Sequence, residues 1–389
     1  MKYAKRMSTI APYLFVQIEQ TIERAKEQGF DVISLGVGDP DMPTPQHIIS
    51  VGQKELANPV NHQYPSSIGM KKFRQSVADY YKRNYNVDLD PNSEVGSLIG
   101  SKEGIGHISF CFCEEGAYNL VPDPGYPVYS AGTKLAGGEV YSMPLLRENG
   151  FRPDFSTIPV DIAKKSRILF INYPNNPTGG VATPQMFKDA IAFAKQYDLV
   201  LCHDAAYSEI CFDENRAPSI LQYEGAKDVA VEFSSVSKIF NMTGWRIGWV
   251  VGNKEIVKAL NTFKSNLDSG AFQVCQEAAI AALDGSFACV DEMKAIYKKR
   301  RDVVVETLNY MGWDLEAPKA SLYIWAPVPN GYTSAQFAQE LFEKTHVVVT
   351  PGSGYGEYGE GYIRISLTVP DDRLLLALKR MKDSGIKFK

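Results

Sequence analysis

Lysine, serine and arginine side chains lie close together in the segment 234–248, SSVSKIFNMTGWRIG, where an apolar run ends. Ser235 and Ser237 supply hydroxyl donors, and the guanidinium fork of Arg246 suits a phosphate group. Beside such groups, Lys238 can have a lowered pKa and form a Schiff base with an aldehyde. Two simpler interpretations stay open: a solvated surface lysine at 238 and a structural ion pair at Arg246.

An aspartate and a tyrosine follow another apolar run, in CHDAAYSE at 202–209. A carboxylate at the end of a buried strand is costly unless a cation pairs with it. Asp204 therefore favours a cationic ligand, for instance a protonated ring nitrogen, with Tyr207 three residues further on. The alternative is a helix N-cap, a common place for aspartate.

Two segments with turn-forming residues suggest contacts to a flat ligand. PDPGYPVY at 122–129 fixes the orientation of Tyr126, which could stack on a ring or simply pack in the protein. In INYPNNPTGG at 171–180 the chain leaves a strand through the pair Asn175 and Asn176, either turn formers or donors to a ligand oxygen.

Two further segments suggest anion sites. GSKEG at 100–104 looks like a helix start, whose free amide groups favour phosphate, although a plain helix cap is the alternative. In YIRIS at 362–366, strand alternation separates Arg364 from Ile363 and Ile365. Arg364 is thus either a carboxylate-binding group in a cleft or an exposed edge arginine.

Together these strand ends supply an anion cradle, an aromatic ring, an amide, an acid and a lysine. Pyridoxal 5′-phosphate needs a lysine for its aldehyde, an acid for its pyridine nitrogen and an anion site for its phosphate. The sequence therefore predicts pyridoxal 5′-phosphate as the cofactor.

The elements that position these residues follow from the pattern of apolar runs. Seven runs alternate with amphipathic segments and predict strands at 95–99, 118–121, 139–143, 167–172, 199–204, 229–233 and 247–251. Such alternation predicts an α/β domain with a mostly parallel sheet, which binds ligands beyond the carboxyl ends of its strands. After residue 254 the pattern favours a smaller α+β domain, with a long helix at 286–311 and strands at 320–328 and 362–366. We expect an N-terminal segment 1–45 that packs with the small domain, a large domain at 46–285 and a small one at 286–389.

Composition narrows the class of protein. The 389 residues are 44% hydrophobic and 22% charged, with a net charge of −4 and both signs interspersed, so neither a nucleic-acid nor an anionic membrane surface is expected. Six cysteines show no zinc-site spacing, which favours reduced thiols, no metal and a cytoplasmic location. No run approaches the roughly 18 apolar residues of a membrane span, and the N-terminus lacks a signal-peptide core.

Taken in order, the motifs resemble those of the class I/II aminotransferases, which are pyridoxal-phosphate enzymes of fold type I. The resemblance covers essentially the whole chain through GVGDPD, GSKEG, DPGYPVY, NYPNNPTG, DAAYSE, SSVSK, NMTGWRIG and PGSGYGEYGEGYIRIS. It implies a central sheet of seven strands flanked by helices. It also implies Lys238 as the Schiff-base lysine and general base, and Asp204 as the partner of the pyridine nitrogen.

The resemblance implies the other site residues as well. The ring and its phenolic oxygen would be contacted by Tyr126, Asn176 and the catalytic Tyr207. The phosphate and the nearby cleft would be surrounded by Ser101, Lys102, Ser235, Ser237 and Arg246. The substrate would be held by Gly38, Asn176 and, at its α-carboxylate, Arg364. Tyr64, in HQYPSSIG, would reach the phosphate of the neighbouring subunit, because the family forms its sites across a homodimer interface.

Within the family, PYLF at 12–15, IGSKEG, CHDAAYSE and SNLDSGAFQ most resemble the members that act on LL-2,6-diaminopimelate in lysine biosynthesis, with 2-oxoglutarate as acceptor. These segments would contribute Tyr13, Lys102 and Asn266 to recognition of a substrate with an amine and a carboxylate at both ends. Some such members carry glutamate where this chain has Ser67. An aminotransferase of broader specificity for alanine, aspartate, methionine or aromatic amino acids, a β-lyase of the same fold, and a non-catalytic regulator stay open as alternatives.

Overall fold

A central sheet dominates the structure, a computed structural model that describes residues 1–10, 14–213 and 216–388. The strands in these residues are β1 (Ile33–Ser34), β2 (Val95–Leu98), β3 (Tyr118–Asp123), β4 (Glu139–Pro144), β5 (Ser166–Asn172), β6 (Val200–Asp204), β7 (Ala230–Ser235), β8 (Gly248–Gly252), β9 (Tyr323–Pro327), β10 (Val347–Val348), β11 (Thr350–Pro351) and β12 (Tyr362–Ser366).

The central sheet has seven strands in the order β2-β8-β7-β6-β5-β3-β4. Neighbouring strands are parallel except at β8, which is antiparallel to both β2 and β7. All seven runs predicted as strands lie in this sheet, so the predicted mostly parallel architecture is confirmed. The carboxyl ends of β5, β6 and β7 consequently meet at one edge, which is where the polar motifs follow.

Helices flank the sheet and are the main regular structure in the rest of the chain. They are α1 (Leu14–Glu27), α2 (Gln46–Leu56), α3 (Lys71–Tyr85), α4 (Ser101–Phe112), α5 (Val128–Leu135), α6 (Val160–Lys165), α7 (Pro184–Tyr197), α8 (Ala226–Val229), α9 (Val236–Ile239), α10 (Lys254–Ser265), α11 (Gln273–Asp284), α12 (Ala288–Tyr310), α13 (Ser334–Thr345) and α14 (Asp371–Asp383). Among them, no helix of the described chain has the length and apolar character needed to cross a bilayer.

Both faces of the sheet are buried. Ile105 of α4 and Leu260 of α10 pack with Phe233 on one face. Trp249 and Val250, consecutive residues of β8, enter different apolar clusters, as the alternation of side chains along a strand requires. The two-sided burial explains why these strands are apolar along most of their length, since a parallel sheet is covered on both faces.

A second, three-stranded antiparallel sheet in the order β11-β12-β9 lies in the C-terminal part of the chain. Strand β12 is therefore central in its sheet. Separately, β1 pairs with β10 in parallel, which joins the N-terminal segment to this part of the chain. The domain division expected at residues 45 and 285 stays a prediction.

The glycine-rich loop after β11 turns tightly through two short 3₁₀ helices, Gly352–Tyr355 and Glu357–Gly359. Asp123, at the end of β3, anchors it, because its carboxylate accepts hydrogen bonds from the amides of Glu357 (3.2 Å) and Tyr358 (3.0 Å). Gly356 has φ of 135° and lies against this carboxylate, which leaves no room for a side chain.

Arg300 of α12 fixes the segment that carries Gly38. Its guanidinium donates to both carboxylate oxygens of Asp41 (2.7 and 3.0 Å) and to Asp371 (2.8 Å). The arginine side chain is only 6% exposed and that of Asp41 only 13%. Arg300 therefore neutralises charge that is largely removed from water.

Replacing Arg300 with alanine should lower the free energy of unfolding by about 3 kcal/mol, because Asp41 would keep its burial and lose its cation. Urea unfolding of the cofactor-free protein measures this difference. The control is Lys299→Ala, which removes a 72% exposed lysine from the same helix and should cost less than about 0.5 kcal/mol. Similar losses in both variants would contradict the assignment.

Candidate active site

A cavity of about 370 Å³ lies where the central strands end and reaches β9 and β12 of the second sheet. Most of the predicted site residues line it. They are Gly38, Ser101, Lys102, Tyr126, Asn176, Asp204, Tyr207, Ser235, Ser237, Lys238, Arg246 and Arg364. The fold thus gathers residues that are more than 300 positions apart in the chain.

One end of the cavity is suited to an anion. Helix α4 begins at Ser101, after Gly100 with φ of 95°, and the positive end of its dipole favours an anion there. Beside it, Arg246 donates to the carbonyl oxygens of Thr243 (2.6 Å) and Ile99 (3.2 Å). Arg246 is exposed and forms no ion pair with any described residue, so the alternative of a structural ion pair is not supported. The buried Ser235 and Ser237 complete this end.

Lys238 lies in the short helix α9, directly after β7. Its Nζ donates a hydrogen bond to the carbonyl oxygen of Gly38 at 2.7 Å. Burial lowers its pKa, which increases the share of the neutral, nucleophilic amine at neutral pH. The alternative of a solvated surface lysine is therefore wrong.

Asp204 ends β6 and is only 6% exposed. Its carboxylate accepts hydrogen bonds from the Tyr129 hydroxyl (2.7 Å) and the Ala206 amide (3.2 Å). Burial raises its pKa, since removal from water disfavours the charged form. No lysine or arginine of the described chain forms an ion pair with it that would offset this effect. A turn, not a helix, follows at 206–209, so the helix N-cap alternative is wrong. A cationic ligand group would remove the cost of this buried charge.

The opposite end of the cavity is built around Arg364, which is 1% exposed on the central strand β12. The alternative of an exposed edge arginine is therefore wrong. The guanidinium donates to Asn176 Oδ1 (2.9 Å) and to the carbonyl oxygen of Gly36 (2.6 Å). Its carbon lies 4.0 Å from the centre of the Tyr323 ring. An arginine held this firmly can form a paired hydrogen bond with a substrate carboxylate.

Three cavity or near-cavity residues were not found from the sequence: Tyr129, Asn172 and Tyr323. Tyr129 holds Asp204, and Asn172 Nδ2 donates to the backbone oxygen of Asp204 at 2.8 Å. Tyr129 and Asn172 belong to motifs already singled out, PDPGYPVY and INYPNNPTGG. Tyr323 lies in a strand-like run, where a hydroxyl among apolar residues was the only available signal.

Two predicted residues of the described chain, Tyr64 and Asn266, are not brought to the cavity within the chain. Tyr64 is 90% exposed and lies outside it. Asn266 is also exposed, and its amide donates to the Thr262 carbonyl at 2.8 Å. Tyr13 lies outside the described residues. The roles expected for these three residues stay predictions.

Comparison with known proteins decides the family. Residues 31–381 match the family model described as aminotransferase class I and II. The chain belongs to this family. An LL-diaminopimelate aminotransferase of Moorella thermoacetica is 57% identical to this aminotransferase over 382 residues, which are 98% of each protein. Another, of Halothermothrix orenii, is 52% identical over the full length of both. A substrate-bound structure of BacF from Bacillus subtilis is 38% identical, with a TM-score of 0.97 over 100% of this chain and 99% of that one.

Aminotransferases of this family depend on pyridoxal 5′-phosphate, as the sequence predicted, and the cavity fits that cofactor. The buried Asp204 carboxylate lacks a cation among the described residues and suits a protonated pyridine nitrogen. The α4 N-terminus and Arg246 suit a phosphate, and Lys238 offers an amine of lowered pKa. When bound, the cofactor supplies an aldehyde and an electron sink.

Asp204→Asn should stabilise the cofactor-free protein at pH 7, because it removes a buried charge. Since the folded-state pKa of Asp204 is raised, the penalty is present above that pKa and disappears as the pH falls through it towards the unfolded value. The advantage of the variant should therefore shrink on acidification. Urea unfolding between pH 4 and 8 measures it, with the exposed Asp314→Asn as control. A difference independent of pH would argue against a raised pKa.

Proposed function

We propose that this aminotransferase transfers an amino group from LL-2,6-diaminopimelate to 2-oxoglutarate, giving tetrahydrodipicolinate and glutamate. The observation that carries the proposal is the 57% identity with the Moorella thermoacetica LL-diaminopimelate aminotransferase over 98% of both chains. The reacting end of such a substrate fits the buried part of the cavity, and its far end extends towards the exposed part.

Each residue around the reacting centre has a separate role. Arg364 holds the α-carboxylate through its guanidinium fork. Lys238, partly neutral because burial lowers its pKa, takes the α-proton on Nζ and returns it as general acid. Asp204 would stay ionised and hold a protonated ring nitrogen, and Tyr207 would donate its hydroxyl hydrogen to the phenolic oxygen. When bound, the cofactor would supply an electron sink for this proton transfer.

Lys102 is the candidate for the distal carboxylate. It lines the reaction cavity and also a neighbouring space of about 1110 Å³, so its ammonium lies at the junction of the two. Its Nζ lies 5.9 Å from the centre of the Tyr126 ring. A long dicarboxylate that is anchored at Arg364 would pass this point before it reaches the neighbouring space.

Ser67 favours a second candidate, an aminotransferase of broader specificity. The side chain at this position is a small hydroxyl, which offers a distal ammonium no charge. Alanine, aspartate, methionine or aromatic donors would then compete, because one or two side chains in a cleft can change specificity by a few kcal/mol.

A half-reaction screen tests the substrate. Purified holoenzyme is mixed with single amino donors, and conversion of the yellow lysine-bound cofactor to pyridoxamine phosphate is followed by absorbance. We expect kcat/KM for LL-diaminopimelate to exceed that for alanine or aspartate at least about 100-fold. Lys238→Ala should bind cofactor without the borohydride-reducible yellow form and convert no donor. Faster conversion by alanine or aspartate would favour the broader enzyme, and no conversion by any donor would favour a regulator.

We also propose that the active enzyme is a cytoplasmic homodimer with shared sites. Large apolar side chains are exposed in two segments, at Leu56 and Val60 and at Leu267 and Phe272. Gln273 joins these segments, because its amide donates to the Val60 carbonyl at 3.3 Å. A second subunit would cover this surface, and the nearby Tyr64 would then reach the partner's phosphate site. The free state of all six cysteines agrees with the reducing cytoplasm.

Mixed dimers, purified through two different tags, test whether Tyr64 acts across the interface. Tyr64→Phe alone should weaken cofactor binding at least about tenfold, since a hydrogen bond to a charged group is lost. At limiting cofactor, a Tyr64→Phe subunit paired with a Lys238→Ala subunit should keep about half of wild-type activity, because one complete site remains. The control pairs wild type with the Tyr64→Phe/Lys238→Ala subunit and should be nearly inactive. The reverse pattern would show that Tyr64 acts within its own chain.

A further inference from the structure

Tyr323 of β9 lies between two functional parts of the cavity and is 2% exposed. Its hydroxyl is 2.9 Å from the Tyr207 hydroxyl. The centre of its ring is 4.0 Å from the guanidinium carbon of Arg364. One side chain thus contacts both the group expected at the phenolic oxygen and the group expected at the substrate carboxylate.

The backbone holds Tyr323 in this position. Strand β9 pairs with β12 so that Tyr323 lies opposite Ser366 and Trp325 lies opposite Arg364. Tyr323 and Arg364 are therefore diagonal neighbours on one face of the sheet, close enough for an aromatic ring to reach the guanidinium.

Gly38 packs against the same hydroxyl. A Cβ at Gly38 would collide with the Tyr323 hydroxyl oxygen, so the glycine leaves the space that the hydroxyl occupies. The carbonyl oxygen of Gly38 accepts the hydrogen bond from Lys238. The Tyr323 hydroxyl is consequently enclosed between the backbone that holds the lysine and the Tyr207 side chain.

Hydrogen-bond direction gives this contact a chemical consequence. Burial raises the pKa of Tyr207, so its hydroxyl stays protonated and has one hydrogen to donate. If Tyr207 gives that hydrogen to the phenolic oxygen, the 2.9 Å contact requires Tyr323 to donate to Tyr207. A chain of two hydroxyls then points at the ligand, and each bond strengthens the next.

We propose that Tyr323 is a positioning residue with two separable functions: its hydroxyl directs the proton of Tyr207 towards the cofactor, and its ring orients Arg364 for the donor carboxylate. The inference rests on the proposed function for the roles of Tyr207 and Arg364. It does not depend on which amino acid is the donor.

Two substitutions separate the two functions. Tyr323→Phe keeps the ring and removes the hydroxyl. It should lower kcat about five- to tenfold, the effect of one hydrogen bond, and leave the donor KM within about twofold. Tyr323→Leu removes the ring as well and should also raise the donor KM about fivefold or more. The matched control, Tyr362→Phe, removes a hydroxyl from the neighbouring strand and should change neither constant.

A titration that needs no amino donor provides the second measurement. Tyr207 stabilises negative charge on the phenolic oxygen, so weaker donation should move the pH of the absorbance transition of the lysine-bound cofactor upward in Tyr323→Phe but not in Tyr362→Phe. Circular dichroism and cofactor binding show whether each variant folds.

If Tyr323→Phe matches Tyr362→Phe in kcat and in the pH of the absorbance transition, the hydroxyl function is wrong. If Tyr323→Leu leaves the donor KM unchanged, the ring function is wrong. If the wild type converts no donor, the proposed function fails, while the titration still tests the hydroxyl.

Discussion

The site depends on one constraint, the burial of the Asp204 carboxylate without a cation from the described chain. The carboxylate lies at the end of the middle strand of a seven-stranded sheet, and the described chain supplies it with two hydrogen bonds and no cation. A charge in that position is tolerable only if a ligand brings the opposite charge, because burial otherwise favours the neutral acid. The fold therefore places at its centre a buried acid that a cationic ring nitrogen would neutralise.

The surrounding structure holds that carboxylate in place. Tyr129, which donates to it, is fully buried and stacks on Phe170 with ring centres 5.2 Å apart. On the other side of the strand, His203 lies between Glu232 Oε2 (2.9 Å) and the Tyr173 carbonyl (3.0 Å). Residues next to each other in β6 thus face two separate networks, one open to the ligand and one closed. The closed network fixes the strand, and the strand fixes the acid.

Sequence patterns predicted the framework better than the side-chain partners. The seven strands and the motif residues that follow them were predictable because apolar runs and turn residues are local signals. Tyr323 was not, since periodicity gives the face of a strand but not what lies opposite. Whether Arg364 was central or at an edge depended on the pairing of β12 with both β9 and β11, which spans distant parts of the chain. Tyr64 and Asn266 lie outside the cavity within this chain, and the roles expected for them stay predictions.

The charged and polar residues of the cavity differ in how far they are buried. Arg364, Asp204 and Tyr207 are all buried, so their electrostatic interactions with the reacting end are strong and fixed. Lys102 and Arg246, by contrast, are exposed, and water and salt weaken their interactions. Charged groups of a ligand would therefore interact more strongly with the buried end than with the open end. A change at the open end can therefore alter which ligand binds without disturbing the buried residues.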